Sequence, residues 1–591
     1  MKRTLVLILA FVLCFSLLVG CGGSEGTNSE TTSNSGSENI FSTEDVKFAE
    51  ENGESRYSII RPNGEADANV SASYLFKQIK NTLNINIKST TDENDGADAY
   101  EILVGRTNRP ESEQARKYLI NTNGGRIQDF IICTIGKKIV IMAMNNDYLD
   151  DACKYFVENY VKADGVKGGI NYISKTAGNF VDADINGVKP GMFVFVKQRY
   201  NQSYITQKQI EAANELFMQK IGYFLEVVED NVAAAEYEVI IGDANRDGVE
   251  KITDKDTYAI KIAGKKVYLN GGSPASKAMA VSEFAKMLSE GSVTDASSKT
   301  GNYAADISKY DMTNYYTLKW ADDFDMPSSL HETGIDLSKW AWGTDSAAGC
   351  NGRTSVRSQS SDHLYVANGM LNFYAAYDDA NYYGFKLLTK ERMRYRYGVL
   401  EMSAILPHSN GSGFWISLWA NSHDPDASAA FFTEVNVVEM FGNSGSEASN
   451  LHGWLKSAQR PYYSNYWEPQ GVAEHWSLDG KFSGDKRYAC PEGKFNDGLH
   501  TFTYIWEKDE CSFACDGNVY FTINPESEEL WTETFNQPIY LILSQATCFE
   551  QQLTCPADDD PVWQTSNNFQ IDYVHIYQLD KPGHEVIYWE N

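Results

Sequence analysis

The chain has 591 residues, of which 42% are hydrophobic and 22% charged, and this composition is typical of soluble globular domains rather than of disordered or fibrous chains. Because one hydrophobic core seldom serves more than about 250–300 residues, the length predicts several domains. The 80 acidic and 51 basic residues give a net charge of −29. This balance argues against nucleic acid as a partner, since binding phosphates needs clustered Lys and Arg.

Residues 1–21 are predicted to be an export signal. Lys2 and Arg3 precede the apolar run "TLVLILAFVLCFSLLVG", which is short for a membrane span. The run ends in Leu-Val-Gly-Cys at Cys21, which resembles a bacterial lipobox. The resemblance implies that Cys21 is lipidated and anchors the protein to the outer face of the membrane. An ordinary signal peptide with an incidental cysteine is the alternative.

Residues 22–45 are predicted to be a flexible linker. The stretch "GGSEGTNSETTSNSGSENI" is rich in Gly, Ser, Thr and Asn and has too little apolar surface to order itself. The expectation is therefore a tether between the membrane anchor and the folded domains.

Residues 46–185 and 186–312 contain two similar units, which we predict to be two α+β repeat domains. In each unit, a strand that ends in a Gly turn, "YEILVGRTNRP" or "YEVIIGDANRD", precedes a hairpin through Gly-Lys-Lys and an amphipathic helix. Such repetition favours two copies of one small domain. The units loosely resemble α+β modules that precede catalytic domains in several polysaccharide-degrading enzymes. No catalytic arrangement stands out in them, which favours a spacer, binding or packing role.

Residues 313–591 are predicted to form an all-β sandwich. Short strands such as "GMLNFYAAY", "GFWISLWA" and "PIYLILSQA" alternate with Gly, Asn and Asp turns. Export would permit disulfides in this region. Cys548 and Cys555 could close a short loop, whereas Cys511 and Cys515 are too far apart on one strand to pair with each other.

The stretch "FFTEVNVVEMFG", from Phe431 to Gly442, reads as a strand with an unusual spacing of polar residues. Glu434 and Asn436 share one face by the two-residue period, but strict alternation would turn Glu439 to the other face. A β-bulge would restore Glu439 to the first face, because it sets two residues opposite one. The three side chains would then point into one cleft.

The whole C-terminal region resembles glycoside hydrolase family 16, a family of β-jelly-roll endoglycanases. "LKWADDFDMP", "NGMLNFYA", "YRYGVLEMSAILP", "GSGFWISLWA" and "FQIDYVHIYQ" match its strands in order, and "EVNVVE" matches its motif Glu-x-Asp-x-x-Glu. The resemblance implies a retaining mechanism with Glu434 as nucleophile and Glu439 as general acid/base. Asn436 replaces the usual Asp, which leaves open a version of the domain that binds glycan without cleaving it.

The resemblance and the alternation of strand residues together predict contacts with the sugar. Glu401 matches a family position that contacts hydroxyls, although Ser403 stands where Arg is common. The remaining candidates are aromatic platforms and hydrogen-bonding side chains that could instead be structural: Trp415, Trp419, Phe432, His452 and Gln545.

A structural calcium ion is a further expectation from the resemblance. The carbonyl of Gly369 and the carboxylate of Asp572 sit at positions where several family members hold calcium, which favours such oxygens. Asp572 could equally cap a turn. No cofactor is predicted to be required for catalysis.

Taken together, the sequence predicts a lipid-anchored, extracytoplasmic lipoprotein that carries a retaining endo-acting glycoside hydrolase. The bulged motif resembles the laminarinase-like branch, which favours β-1,3-linked or mixed-linkage glucan, although galactan-directed members share the motif. The alternative is a catalytically weak or inactive protein that binds glycan at the cell surface.

Overall fold

The computed structural model describes residues 40–588 apart from short internal ranges, namely 51, 94–95, 97–98, 408–412, 423–430, 442–449, 453, 460–473, 476–486, 490–494, 524–536, 550–554 and 566–567. The predicted signal peptide, Cys21 and most of the predicted linker lie outside these described residues. Phe41–Asn591 form one compact unit. Within the described part of the chain, no helix has both the length and the apolar character that a membrane span needs.

The first mixed α/β region has one sheet and three helices. Its strands are β1 (Glu54–Arg61), β2 (Asn86–Thr91), β3 (Glu101–Val104), β4 (Phe130–Ile135), β5 (Lys138–Ala143) and β6 (Asn171–Ile173). Its helices are α1 (Ala66–Leu83), α2 (Pro110–Asn123) and α3 (Leu149–Tyr160). The sheet order is β2-β1-β3-β5-β4-β6.

The second mixed region has the same strand order. Its strands are β7 (Val194–Lys197), β8 (Val227–Glu229), β9 (Glu238–Ile241), β10 (Thr257–Ala263), β11 (Lys266–Gly271) and β12 (Lys299–Asn302), and its helices are α4 (Tyr204–Lys220), α5 (Pro274–Glu290) and α6 (Tyr303–Asp306). The order β8-β7-β9-β11-β10-β12 repeats that of the first sheet strand for strand. The predicted hairpins through Gly-Lys-Lys join β4 to β5 and β10 to β11, with Gly136 and Gly264 at positive φ.

A buried ionic group links β3 to β5 in the first sheet. Glu101 begins β3 and accepts hydrogen bonds from Arg109 Nε at 3.0 Å and from Lys138 Nζ at 2.8 Å. All three side chains are buried. Removing one partner from such a group is costly, because an uncompensated charge would remain in the interior.

The second sheet contains the matching group. Glu238 begins β9 and accepts from Arg246 Nε at 3.1 Å and from Lys266 Nζ at 2.7 Å. The three residues occupy the same places in "YEVIIGDANRD" and "GKK" as their counterparts do in the first region. The two sheets therefore share strand order, strand direction and a Glu–Arg–Lys group.

The C-terminal region is a β-sandwich. Its first strands are β13 (Thr317–Asp322), β14 (Ala341–Trp342), β15 (Ala347–Ala348), β16 (Thr354–Arg357), β17 (Leu364–Ala367), β18 (Met370–Tyr374), β19 (Ala376–Tyr377), β20 (Asn381–Leu388), β21 (Met393–Arg396), β22 (Gly398–Ile405) and β23 (Phe414–Asn421). The strands that follow are β24 (Phe431–Phe441), β25 (Asn450–His452), β26 (Trp454–Gln459), β27 (Glu474–His475), β28 (Arg487–Ala489), β29 (His500–Glu507), β30 (Glu510–Cys515), β31 (Asn518–Ile523), β32 (Tyr540–Thr547), β33 (Asn568–Gln578) and β34 (Glu585–Tyr588), with the short helix α7 (Val562–Thr565) before β33.

Two large sheets in the described residues form the layers of this sandwich. The outer sheet has eight strands in the order β17-β18-β33-β22-β29-β30-β31, with β13 also paired to β33. The inner sheet has ten strands in the order β15-β16-β20-β32-β23-β24-β26-β27, with β14 and β19 paired to β20. Apolar residues of both sheets, such as Leu400, Ile416, Val438 and Leu543, fill the space between them. The predicted all-β jelly roll is thus present.

One disulfide joins distant parts of the sandwich. Cys350 pairs with Cys555 across 205 residues of sequence. The prediction that Cys548 and Cys555 could close a short loop is therefore wrong, and Cys548 is a buried thiol. Cys511 and Cys515 are also buried thiols on β30, and they do not pair with each other, as their separation along one strand predicts.

The start of α4 docks on the outer sheet at Glu401. The backbone N–H of Tyr204, the first residue of α4, donates to Glu401 Oε2 at 2.8 Å. Tyr573 Oη and Thr503 Oγ1 donate to the same carboxylate at 2.8 and 3.2 Å. A carboxylate is favoured at a helix N-terminus, where N–H groups lack partners within the helix. Glu401 therefore binds the second mixed region to the sandwich.

A second polar contact supports this docking. Asp516 Oδ1 accepts from the backbone N–H of Asn201 at 2.8 Å, and Thr501 Oγ1 donates to the carbonyl of Gln202 at 2.6 Å. His500, Asp516 and Cys515 are the one group with metal-ligand spacing among the residues that the structure describes. The Asp516 carboxylate is already hydrogen-bonded to Asn201 and, at 2.8 Å, to His500 Nδ1. The group therefore serves the interface.

Candidate active site

The predicted β-bulge is present in β24. Leu418 of β23 pairs with Val438, and Trp419 pairs with Asn436, so Val437 is the extra residue. Val437 and Val438 are both fully buried between the sheets. The bulge therefore brings Glu439 back to the face of the inner sheet that Asn436 occupies.

Asn436 and Glu439 line one cleft on the face of the inner sheet that points away from the sandwich core. The cavity at this place measures about 170 Å³. Its other walls come from alternate residues of neighbouring strands: Arg357, Lys386, Trp415, Ser417, Trp419, Ser544 and Ala546. Alternation along β23 and β32 explains the set, because the intervening residues face the core.

Two indole rings frame the carboxyl and amide groups. Trp415 Nε1 donates to Glu439 Oε1 at 3.2 Å, and Trp419 Nε1 donates to Ser544 Oγ at 3.2 Å. Glu439 is only 3% exposed and Asn436 4%. The cleft thus offers a shielded carboxyl group beside two flat apolar surfaces, which suits proton transfer next to a stacked sugar ring.

Arg357 and Lys386 are cleft residues that the sequence reasoning missed. Arg357 Nη2 and Lys386 Nζ each contact Asp345 at 3.0 Å, and Lys386 Nζ lies 5.4 Å from the ring centre of Trp419. Although burial opposes ionisation of Asp345, the two cations lower its pKa. The signal was available in "GFKLL", where apolar residues on both sides of Lys386 face the core.

Three predicted site residues have side chains outside the described residues. The backbone of Glu434 pairs with Asn421 on one side and Lys456 on the other, two residues before Asn436 and ahead of the bulge. Phe432 belongs to the same strand. His452 ends β25, which pairs with β28 rather than joining the inner sheet.

The predicted sugar contacts of Glu401 and Gln545 are wrong. Glu401 is 0% exposed and belongs to the outer sheet, where it accepts hydrogen bonds at the α4 interface. Gln545 is also 0% exposed, because the cleft face of β32 is taken by its neighbour Ser544. A shift of one residue along a strand exchanges the two faces of a sheet.

The residues of the predicted calcium site do not suit a divalent cation. Gly369 and Asp572 line a cavity with Asp323 and Asp325, but Lys255 of the second mixed region forms ion pairs with both of these aspartates. A positively charged ammonium group in this position repels a second cation, and it occupies carboxylate oxygens that calcium would need. Although burial opposes it, hydrogen bonding to His575 and Lys255 holds the pKa of Asp323 well below its usual range.

Comparisons with known proteins find relatives for part of the chain. Residues 353–574 match the family "Glycosyl hydrolases family 16". The chain is 26% identical over 294 residues to "Glucan endo-1,3-beta-glucosidase A1" of Niallia circulans, which covers 44% of this chain and 38% of that protein. It is 21% identical over 236 residues to "Beta-1,3-glucan-binding protein" of Tenebrio molitor, which covers 33% of this chain and 45% of that protein. The chain thus spans less than half the length of these two relatives.

Among solved structures, the chain is similar to a laminarinase from Flavobacterium sp. UMI-01. The TM-score is 0.32 at 20% sequence identity, over 44% of this chain and 100% of that structure.

Proposed function

We propose that the protein is an endo-acting β-glucan hydrolase that retains anomeric configuration, and the match of residues 353–574 to glycosyl hydrolases family 16 supports this proposal. The bulge in β24 carries the proposal, because it places Asn436 and Glu439 together on the wall of a cleft between Trp415 and Trp419. The similarity to a glucan endo-1,3-β-glucosidase supports a β-1,3-linked or mixed-linkage glucan as substrate.

In the proposed mechanism Glu434 is the nucleophile, and Glu439 is the general acid and then the general base. The Glu434 carboxylate attacks the anomeric carbon, the glycosidic bond breaks, and the proton of Glu439 passes to the departing oxygen. Glu439, now ionised, then takes a proton from water. The resulting hydroxide attacks the anomeric carbon and releases Glu434, so both residues return to their starting states.

The cleft walls supply binding groups for this reaction. The indole rings of Trp415 and Trp419 offer flat surfaces on which pyranose rings stack, and Arg357 and Lys386 offer hydrogen-bond donors near Trp419. Asp345 holds both cations in place. These donors would select the orientation of sugar hydroxyls next to the stacked ring.

The experiment that tests the proposal is digestion of laminarin, lichenan, agarose and β-galactan oligosaccharides, with the anomeric configuration of the first products read by NMR. We expect the glucans to yield shorter oligosaccharides, and the first products to have the retained anomeric configuration. Products from the galactans alone would contradict the substrate, and inverted products would contradict the role of Glu434 as nucleophile.

A second candidate function is glycan binding without cleavage. Asn436 favours it, since an amide cannot hold or relay a proton as an aspartate can. The similarity to a protein named for glucan binding points the same way. Turnover discriminates the two: this alternative would be adopted if the wild type and Glu434→Gln were equally inert on every polysaccharide that they bind.

Asn436 itself provides a test of the cleft. Replacement by Asp adds a titratable carboxyl near the catalytic pair, and close like charges do not all ionise freely, so the acidic limb of the pH–rate profile should shift. Replacement by Ala should lower turnover by about one to two decades through loss of a hydrogen bond to a charged group. Kinetics across pH on the best substrate measure both effects. Superimposable profiles for all three proteins would exclude Asn436 from the reaction.

We also propose that the two mixed regions are copies of one α+β domain. The shared strand order and the matching Glu–Arg–Lys groups support this origin. Further correspondence lies next to these groups: Asp92 Oδ2 accepts the N–H of Asn108 at 2.7 Å, and Asp230 Oδ2 accepts that of Asn245 at 2.9 Å. None of the described residues that line the cleft comes from either region, which favours a supporting role.

We propose in addition that Cys21 anchors the protein on the outer membrane surface. The disulfide between Cys350 and Cys555 supports an oxidising location. Fractionation of cells that express the wild type and Cys21→Ser tests this proposal. Release of the variant into the soluble fraction is expected, and an unchanged distribution would contradict it.

A further inference from the structure

A polar cavity lies between the second α+β region and the outer sheet of the sandwich. It measures about 430 Å³, and its lining includes Lys255 from the α+β region together with Asp323, Asp325, Gly369 and Asp572 from the sandwich. It is separate from the catalytic cleft, which lies on the inner sheet. The sandwich thus contributes three carboxyl groups to this cavity. The α+β region contributes Asp243 and three lysines, of which Lys255 pairs with sandwich carboxylates.

In this cavity a lysine of the α+β region forms ion pairs with carboxylates of the sandwich. Lys255 Nζ contacts Asp323 Oδ2 at 2.7 Å and also contacts Asp325 Oδ2. On the sandwich side, His575 Nε2 shares a hydrogen bond with Asp323 Oδ1 at 2.7 Å. Asp572 Oδ2 accepts from Ser403 Oγ at 3.2 Å. Lys255 is thus the cation that bridges two of the carboxylates.

The backbone around Lys255 is fixed in position. Ser273 Oγ, at the start of α5, donates to the carbonyl of Lys255 at 2.8 Å. A Cβ atom at Gly272 would lie 2.0 Å from the carbonyl oxygen of Asp254, so only glycine permits this close approach. The ammonium group therefore extends towards the sandwich from a well-held segment.

We propose that Lys255 acts as a built-in cation, which neutralises the acidic group of the outer sheet in place of a divalent metal ion and fastens the α+β region to the sandwich. Carboxylates in one cavity repel each other unless a positive charge lies between them. A lysine side chain supplies that charge permanently, whereas a bound ion leaves when its concentration falls. Stability of the sandwich should therefore depend on the α+β region and not on calcium.

The experiment measures thermal unfolding of the whole chain in a chelator and in millimolar calcium, at matched ionic strength. The wild type should unfold at the same temperature in both. Lys255→Met should unfold about 2–4 °C lower in chelator and recover in calcium, because the freed carboxylates and the Gly369 carbonyl then offer oxygen ligands. The Lys255 side chain is 41% exposed, so the uncharged replacement fits without burying a new group.

Two further variants make the result specific. Lys277→Met removes an ion pair with Asp243 in the same cavity but within the α+β region, so any loss of stability should not be restored by calcium. Lys255→Arg keeps the charge and should remain insensitive to calcium. A wild type that is destabilised by chelator and rescued by calcium would overturn the proposal, as would a Lys255→Met variant without a calcium response. Neither readout depends on catalysis.

Discussion

Glu439→Gln is expected to lower kcat on polysaccharide by about 10²–10⁴-fold, since the amide cannot deliver a proton to the departing oxygen. The nearly isosteric side chain can keep the contact between Glu439 and Trp415 Nε1, so KM should change little. Aryl β-glycosides with a strongly acidic phenol as leaving group need no such proton. The first step with these substrates should therefore proceed at nearly the wild-type rate, which a burst of released phenol would reveal.

The matched control is Glu510→Gln, which changes an exposed glutamate at the start of β30 on the outer sheet. It should leave both kinds of substrate unaffected. If Glu439→Gln slowed the first step with aryl substrates as much as it slowed polysaccharide cleavage, so that no burst of phenol appeared, its carboxyl would not be the proton donor. The cleft geometry would then need another acid, and the assignment that rests on the bulge would fail.

Glu401→Ala is expected to lower the free energy of unfolding by about 2–5 kcal/mol, because buried donors would lose their acceptor. These donors are the N–H of Tyr204 and the hydroxyls of Thr503 and Tyr573. Urea unfolding measures the change. The KM of the remaining folded enzyme should equal that of the wild type, since Glu401 faces α4 and not the cleft. A raised KM with unchanged stability would restore its predicted contact with sugar.

The pH dependence of this residue gives a further measurement. Burial raises the pKa of Glu401 above its usual value of 4.5, so the folded protein binds this proton more tightly than the unfolded chain does. The resulting stabilisation is complete below the unfolded pKa and is lost as the pH rises through the raised folded pKa. Glu401→Gln cannot titrate. The melting temperature of the wild type relative to this variant should therefore fall as the pH rises above the usual pKa of 4.5.

The alternation of side chains along a strand was sufficient to predict the bulge in β24. The spacing of Glu434, Asn436 and Glu439 required a bulge if all were to share one face, and the paired register contains it at Val437. The Gly-Lys-Lys hairpins were equally local, because positive φ at one glycine decides the turn. Such features depend on a few neighbouring residues, and a single sequence contains all of them.

The failures came from contacts that no local pattern records. The face of β22 that carries Glu401 is polar enough for a cleft, yet α4 of the second mixed region covers it. For β32, the strand was predicted correctly, but Gln545 was assigned to the cleft face that Ser544 occupies. Both residues are polar, and only the pairing of strands in the sheet distinguishes them. The partner of Cys555 lies 205 residues away, a pairing that spacing alone cannot select.

The matching ionic groups of the two α+β regions offer each glutamate two similar lysine partners while the chain folds. Glu101 could pair with Lys266 instead of Lys138, and Glu238 could pair with Lys138 instead of Lys266. Strand exchange between adjacent similar domains is a characteristic error of repeat proteins. Discrimination then rests on the apolar side chains and on α2, which only the first region has. Differences in those residues between the two regions would therefore favour correct strand pairing.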